Sequence, residues 1–194
     1  MPEIVTRSAA NPEFPRVVDV AQLRGVSAFA FDVAPEPGEA AALARLLDAQ
    51  AVRKLRLRGR LAPAPGAAWS LEAELGATVV QTCVVTLEPV TTRIDTPVRR
   101  LFTPEARPAG AVAGEFEIGP EDDDEIEPLG DRIDLGLVAI EALALALPPY
   151  PRREGAELGS SAASAPPGAA PLDAGEARPF AALGALRAKS GEDK

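Results

Sequence analysis

Leu55-Arg56-Leu57-Arg58-Gly59-Arg60-Leu61 and Trp69-Ser70-Leu71-Glu72-Ala73-Glu74-Leu75-Gly76-Ala77 alternate apolar and polar positions. Successive side chains of a strand point to opposite faces, so this pattern marks half-buried strands. In the first, Leu55, Leu57 and Leu61 share one face and Arg56, Arg58 and Arg60 the other. In the second, Trp69, Leu71, Ala73, Leu75 and Ala77 oppose Ser70, Glu72, Glu74 and Thr78. Phe29, Phe31 and Val33 alternate upstream, as do Val90, Ile94 and Val98 downstream. The run Val79 to Leu87 carries β-branched residues on both faces and reads as a more buried strand. Prolines at 63, 65, 89 and 97 punctuate these runs. Pro97 calls for an edge position or a bulge, because proline cannot donate to a ladder.

Two segments read as helices. Pro37 to Gln50 has proline in its first turn, Glu36 and Glu39 at the positive end, and a stripe of Leu43, Leu46 and Leu47. Asp134 to Leu147 opens on a good N-cap and is stopped by Pro148-Pro149. Its leucines lie nearly all round, which predicts a sandwiched or deeply packed helix. Consecutive strands with short turns favour antiparallel pairing. The expected fold is therefore α+β: a curved antiparallel sheet or partial β-barrel with two main helices. One domain over 1–151 is expected, with a mobile acidic loop at about 104–130. Residues 152–194 read as a disordered, low-complexity tail with a short apolar patch at 179–187.

The chain has 194 residues and a net charge of −9. That balance is uneven. Residues 1–103 carry 12 basic and 11 acidic side chains, while residues 104–134 carry 2 and 11. The core of the acidic stretch is Glu121-Asp122-Asp123-Asp124-Glu125, flanked by prolines. Like charges among prolines resist folding, so the loop reads as solvated. Its spacing lacks the Asp-x-Asp-x-Asp-Gly order of an EF-hand calcium loop. Residues Met1 to Phe14 hold Glu3, Arg7 and Glu13 and no apolar run, so no signal peptide is expected. Leu135 to Leu147 is short of the roughly 20 residues a membrane span needs.

The chemistry on offer is narrow. There is no histidine and one cysteine, Cys83, which excludes an intrachain disulfide and a cysteine-rich zinc site. Without a base beside it, Cys83 reads as a buried strand residue rather than a nucleophile. No Gly-x-Ser-x-Gly elbow and no phosphate loop is present. A hydrolase is thus a distant alternative, and no catalytic residue, metal or other cofactor is expected. The basic cluster Arg53, Lys54, Arg56, Arg58 and Arg60 is the best candidate surface for RNA or an acidic partner. The plainer reading is a solvated outer face. Glu141 reads as reaching solvent along one helical stripe. The sharper alternative is a buried pair with Arg99, Arg100 or Arg132, in which case Glu141→Gln would clearly destabilise the fold.

Val79-Val80-Gln81-Thr82-Cys83-Val84-Val85-Thr86-Leu87-Glu88-Pro89-Val90 resembles the central motif of the YceD family, the large ribosomal RNA subunit accumulation proteins. A second match lies downstream, in Asp131-x-Ile133-Asp134-Leu135-Gly136 and then Glu141 through Leu145 to Pro148-Pro149-Tyr150-Pro151. The positions carrying the resemblance are Cys83, Thr86, Leu87, Glu88, Pro89, Asp134, Leu135, Glu141, Leu145 and Pro148. The resemblance implies a non-enzymatic, cytoplasmic factor in bacterial or plastid ribosome biogenesis. Its partner would be a ribosomal RNA precursor or an assembly protein, with no membrane, cofactor or small-molecule substrate. Many relatives carry further cysteines that look able to bind metal. This chain has Arg152-Arg153 after its proline cluster, so a metal site is not expected here. The alternative is an acidic protein-binding adaptor that acts on ribosomal RNA only indirectly.

Overall fold

The computed structural model describes residues 2–5, 11–104 and 126–157. The acidic centre at 121–125 and the apolar patch at 179–187 lie outside the described residues, as do most of the expected loop and tail. The chain divides into two units after Arg153, and the fold is that of the first. In chain order it forms β1 (Ile4–Val5), β2 (Val17–Asp19), β3 (Phe29–Val33), α1 (Pro37–Leu46), β4 (Ala51–Ala64), β5 (Ala68–Thr82) and β6 (Pro89–Thr103). The last described elements are β7 (Ile126–Pro128), β8 (Arg132–Asp134) and α2 (Leu135–Ala146).

The main sheet runs in the order β3-β4-β5-β6-β7. The first four strands are an antiparallel meander, and β7 lies parallel to the end of β6. The second sheet, β1-β2-β8, is antiparallel. The fold is α+β as expected, but the strands do not close into a barrel. The small sheet and β7 carry too few residues for alternation to announce them.

The inner face of the main sheet is the core. Leu57, Leu61, Leu71 and Leu75 are fully buried there, with Phe29, Phe31, Val33, Leu55 and Trp69 beside them. Strand β4 keeps Val52 and Leu55 both inside although they are three positions apart. A register shift between Arg53 and Arg56, with Lys54 at φ 53°, makes this possible. The bulge absorbs the extra residue and turns both Arg53 and Lys54 to solvent. Pro97 sits where β6, among the described residues, pairs only with β5, the edge position its missing N–H requires.

Three details differ from expectation. Strand β5 ends at Thr82, and 83–88 is a hairpin turn rather than a buried strand. Leu87 takes φ 61° there. Helix α1 stops at Leu46, two residues before Asp48 enters the left-handed region at φ 49°, and this leaves Leu46 exposed. Helix α2 packs one face on the core through Leu135, Val138, Ala139, Ile140 and Leu143, whereas Leu137 and Leu145 are exposed. It is not sandwiched among the described residues. No described helix is long and apolar enough to cross a membrane.

Candidate functional site

The outer face of the main sheet carries the basic cluster, and the register decides what surrounds it. Ala30, Arg60, Glu72 and Arg99 form one row across β3 to β6. Asp32, Arg58, Glu74 and Pro97 form the next. Carboxylates therefore stand between the arginines, in a shallow open depression. Arg56 forms a bidentate pair with Asp32 at 2.5 Å, and Arg60 reaches Glu72 at 2.6 Å. The Arg56 guanidinium holds the Asp32 carboxyl below its ordinary range, mainly through that hydrogen bond. Arg93 pairs with Asp95 and leans over Gly76, where a Cβ would meet its Nη2 at 2.7 Å. Arg53, Lys54, Arg58 and Arg99 have no ion-pair partner among the described residues, and of the four carboxylates only Glu74 has none.

The five predicted contact residues thus share one face but not one state. Arg56 and Arg60 are committed to carboxylates. Arg53, Lys54 and Arg58 remain open. Arg93 and Arg99 join the same face from β6. Their alternation with Val90, Ile94 and Val98 is a usable signal, but their register against β5 is set by the hairpin turn at 83–88, which the expected strand over 79–87 overruns.

Cys83 starts the turn between β5 and β6 and is fully buried, as expected, though not within a strand. Its Sγ accepts N–H bonds from Val85 (3.4 Å), Thr86 (3.3 Å) and Arg153 (3.4 Å). Hydrogen bonds from Thr86 and from the Arg153 backbone lower its pKa from 9.0 to about 6. Arg153 also pairs with Glu88, and the Val84 N–H donates to the Pro151 carbonyl at 3.0 Å. The Gln81 Nε2 donates to the Pro148 carbonyl at 3.3 Å. The two halves of the sequence pattern therefore meet here: the turn holds the segment that follows α2. Thr86, Leu87 and Pro89 shape the turn. Among the described residues no three acidic or cysteine side chains converge as metal ligands.

Asp134 and Leu135 do different work. The Asp134 carboxylate caps α2, accepting from the Gly136 and Leu137 N–H groups at 2.9 and 3.2 Å. It also accepts from Asn11 Nδ2 and the Arg16 N–H. A Cβ on Gly136 would collide with the Phe14 carbonyl. Arg16, with only 8% of its side chain exposed, bonds both oxygens of Glu39 at the start of α1. Segment 11–18 thereby ties both helix N-termini together, a role for Asn11 and Arg16 that no local pattern announces. Leu135 fills the core.

Glu141 is exposed and makes no arginine pair among the described residues. Arg100 is committed to Glu127 at 2.8 Å, and Arg99 lies on the outer face. Partial burial, then the Glu127 carboxylate, raise the Glu141 pKa, with Arg100 opposing. Leu145 is 82% exposed.

The family model described as large ribosomal RNA subunit accumulation protein YceD matches residues 71–187, more than half of the chain. The description names no reaction. No curated protein and no solved structure matches.

Proposed function

This chain belongs to the YceD family of large ribosomal RNA subunit accumulation proteins, and from that premise we propose that it promotes accumulation of large-subunit ribosomal RNA by binding rather than by catalysis. It works in the cytoplasm, needs no cofactor, and engages a ribosomal RNA precursor or an assembly protein. The contact surface is the outer face of the main sheet, entered from the bulge end. The observation that carries this choice is the set of cations without an ion-pair partner among the described residues, Arg53, Lys54, Arg58 and Arg99, set against one such carboxylate on the face, Glu74. On a chain of net charge −9 this is a local reversal of sign. The family-motif residues Cys83, Glu88, Asp134 and Pro148 hold the scaffold.

The carboxylates Glu72 and Glu74 within the face favour a second reading, a protein partner of mixed charge. A phosphate backbone laid from β4 to β6 would cross both. Crosslinking from the bulge separates the two: adducts with ribosomal RNA support the first, adducts with protein alone the second. The deciding experiment introduces Arg53→Glu, Lys54→Glu and Arg58→Glu together into a strain lacking the native gene. Large-subunit RNA and particles are then measured on sucrose gradients. Loss of both with the fold intact is expected; wild-type profiles would exclude this face.

A further inference from the structure

Among the described residues, strand β6 has a long open edge. It pairs with β5 along its length, but with β7 only over residues 101–103. Peptide groups alternate in direction along a strand, and three observations fix the phase here. The Glu88 carbonyl accepts from Cys83 on the β5 side. The Thr103 carbonyl accepts from Leu129 on the other side. Pro89 and Pro97, which lack an N–H, share the parity of Thr103. The N–H and C=O groups of Thr91, Arg93 and Asp95 therefore point away from β5, where no described strand pairs with them.

The turn at 83–88 bounds the open stretch on one side and the first β7 pairing at Leu101 on the other, so it runs over residues 89–100 with its midpoint between Ile94 and Asp95. An axis at Ile94, beside that midpoint, sets outward-pointing residues opposite one another. Laid antiparallel on itself about Ile94, the sequence is self-complementary. Arg93 falls opposite Asp95, Thr92 opposite Thr96, and Val90 opposite Val98. Ile94 meets its own copy.

We propose that the β6 edge is a homodimer interface, in which two copies join antiparallel through Thr91, Arg93 and Asp95 about a two-fold axis at Ile94. The Arg93 and Asp95 backbones exchange both of their bonds with Asp95 and Arg93 of the second copy. The Thr91 N–H reaches the Pro97 carbonyl, and the ladder ends there because Pro97 has no N–H to return. Arg93 and Asp95, paired within one strand in the monomer, exchange partners across the axis. Opposite charges directly across a ladder are favourable and like charges are not. Lone charges and prolines commonly protect edges from open-ended pairing. Here they admit one register, and the isologous arrangement closes at two copies. The outer faces of both copies then form one surface. This goes beyond the proposed function and does not depend on it.

A strand-edge interface is small, so weak association is expected, with a dissociation constant of about micromolar or higher. Sedimentation of the full chain from about 1 µM to about 1 mM tests it. A concentration-dependent monomer–dimer equilibrium is expected, with amide exchange at Thr91, Arg93 and Asp95 slowing as dimer forms. Arg93→Glu places a glutamate opposite Asp95, and Asp95→Arg places an arginine opposite Arg93. Each alone should weaken self-association by roughly tenfold or more, and a mixture of the two variants should associate again. Thr91→Pro, which removes only an outward N–H, should keep the fold and weaken the dimer. A monomer at every concentration overturns the proposal and leaves the edge to another chain. So does a dimer indifferent to all three substitutions, or a mixture that stays monomeric.

Discussion

The two faces of strands β4 and β5 are built from the same alternating sequence, yet they answer to different physics. Inside, Leu57, Leu61, Leu71 and Leu75 are sealed from water. Every methylene there contributes through burial and close packing. Outside, Arg56, Arg58, Arg60, Glu72 and Glu74 stand exposed. Exposed ion pairs gain little over hydration and are screened by salt. The inner face holds the fold together, and the outer face is the one to which the proposed function assigns a partner. The loss of stability on substitution should therefore fall steeply from one face to the other, while the loss of function should run the opposite way.

The largest effect belongs inside. Leu57→Ala should cost about 3 kcal/mol in denaturant unfolding, from lost transfer energy plus the cavity left behind. A loss below about 1 kcal/mol would mean that the core relaxes around it and that the contrast is overdrawn. Next comes the seam where segment 11–18 meets α2. Asp134→Ala removes the helix cap and the bonds from Asn11 and Arg16, and should cost about 2 kcal/mol. Rescue by Asp134→Asn, which keeps an acceptor oxygen, would tie the loss to capping rather than to charge.

The turn at Cys83 lies between these extremes and is read by pH. Its folded pKa of about 6 sits below the ordinary 9.0, so folding favours the thiolate. The contribution is complete above pH 9 and is lost progressively as pH falls toward 6. The melting temperature of the wild type should therefore rise relative to Cys83→Ala between pH 6 and 9, and thiolate absorbance should titrate near 6. Parallel melting curves across that window would show that the Sγ acceptor bonds carry no weight.

The smallest effects lie outside. Arg60→Gln should change stability by no more than about 0.5 kcal/mol, because its Glu72 partner is exposed as well. Glu141→Gln should leave the melting temperature at pH 7 unchanged or slightly raised. The raised Glu141 pKa means that folding penalises its charge, and this penalty appears as pH climbs through the carboxylate range. A clear drop in melting temperature would restore the buried pair with an arginine that the structure contradicts.

Much of the fold was legible because its signals are local. Alternation identified the inner residues of β3, β4, β5 and β6, and Asp134 announced the start of α2. The end of α1 and the turn at 83–88 were not legible. Both depend on left-handed residues, Asp48 and Leu87, whose side chains do not advertise that conformation. The candidate face was half legible. Arg56, Arg58 and Arg60 could be placed on one side of a strand, but Arg53 and Lys54 turn to solvent only through the bulge, and Asp32, Glu72 and Arg99 join them only through register.

Sequence by itself determined which side chains face inward, where α2 is capped, and which family the chain resembles. Each rests on spacing within a few residues of the chain, or on a motif read along it. Only the tertiary structure decided which arginines are spent on carboxylates and that Asn11 and Arg16 bind the two helix starts together. It alone showed that the peptide groups of Thr91, Arg93 and Asp95 point away from β5. Those outcomes depend on distances between residues far apart in the chain, and the register of one strand on the next sets them. A shift of one residue would turn every side chain to the other face and change every pair.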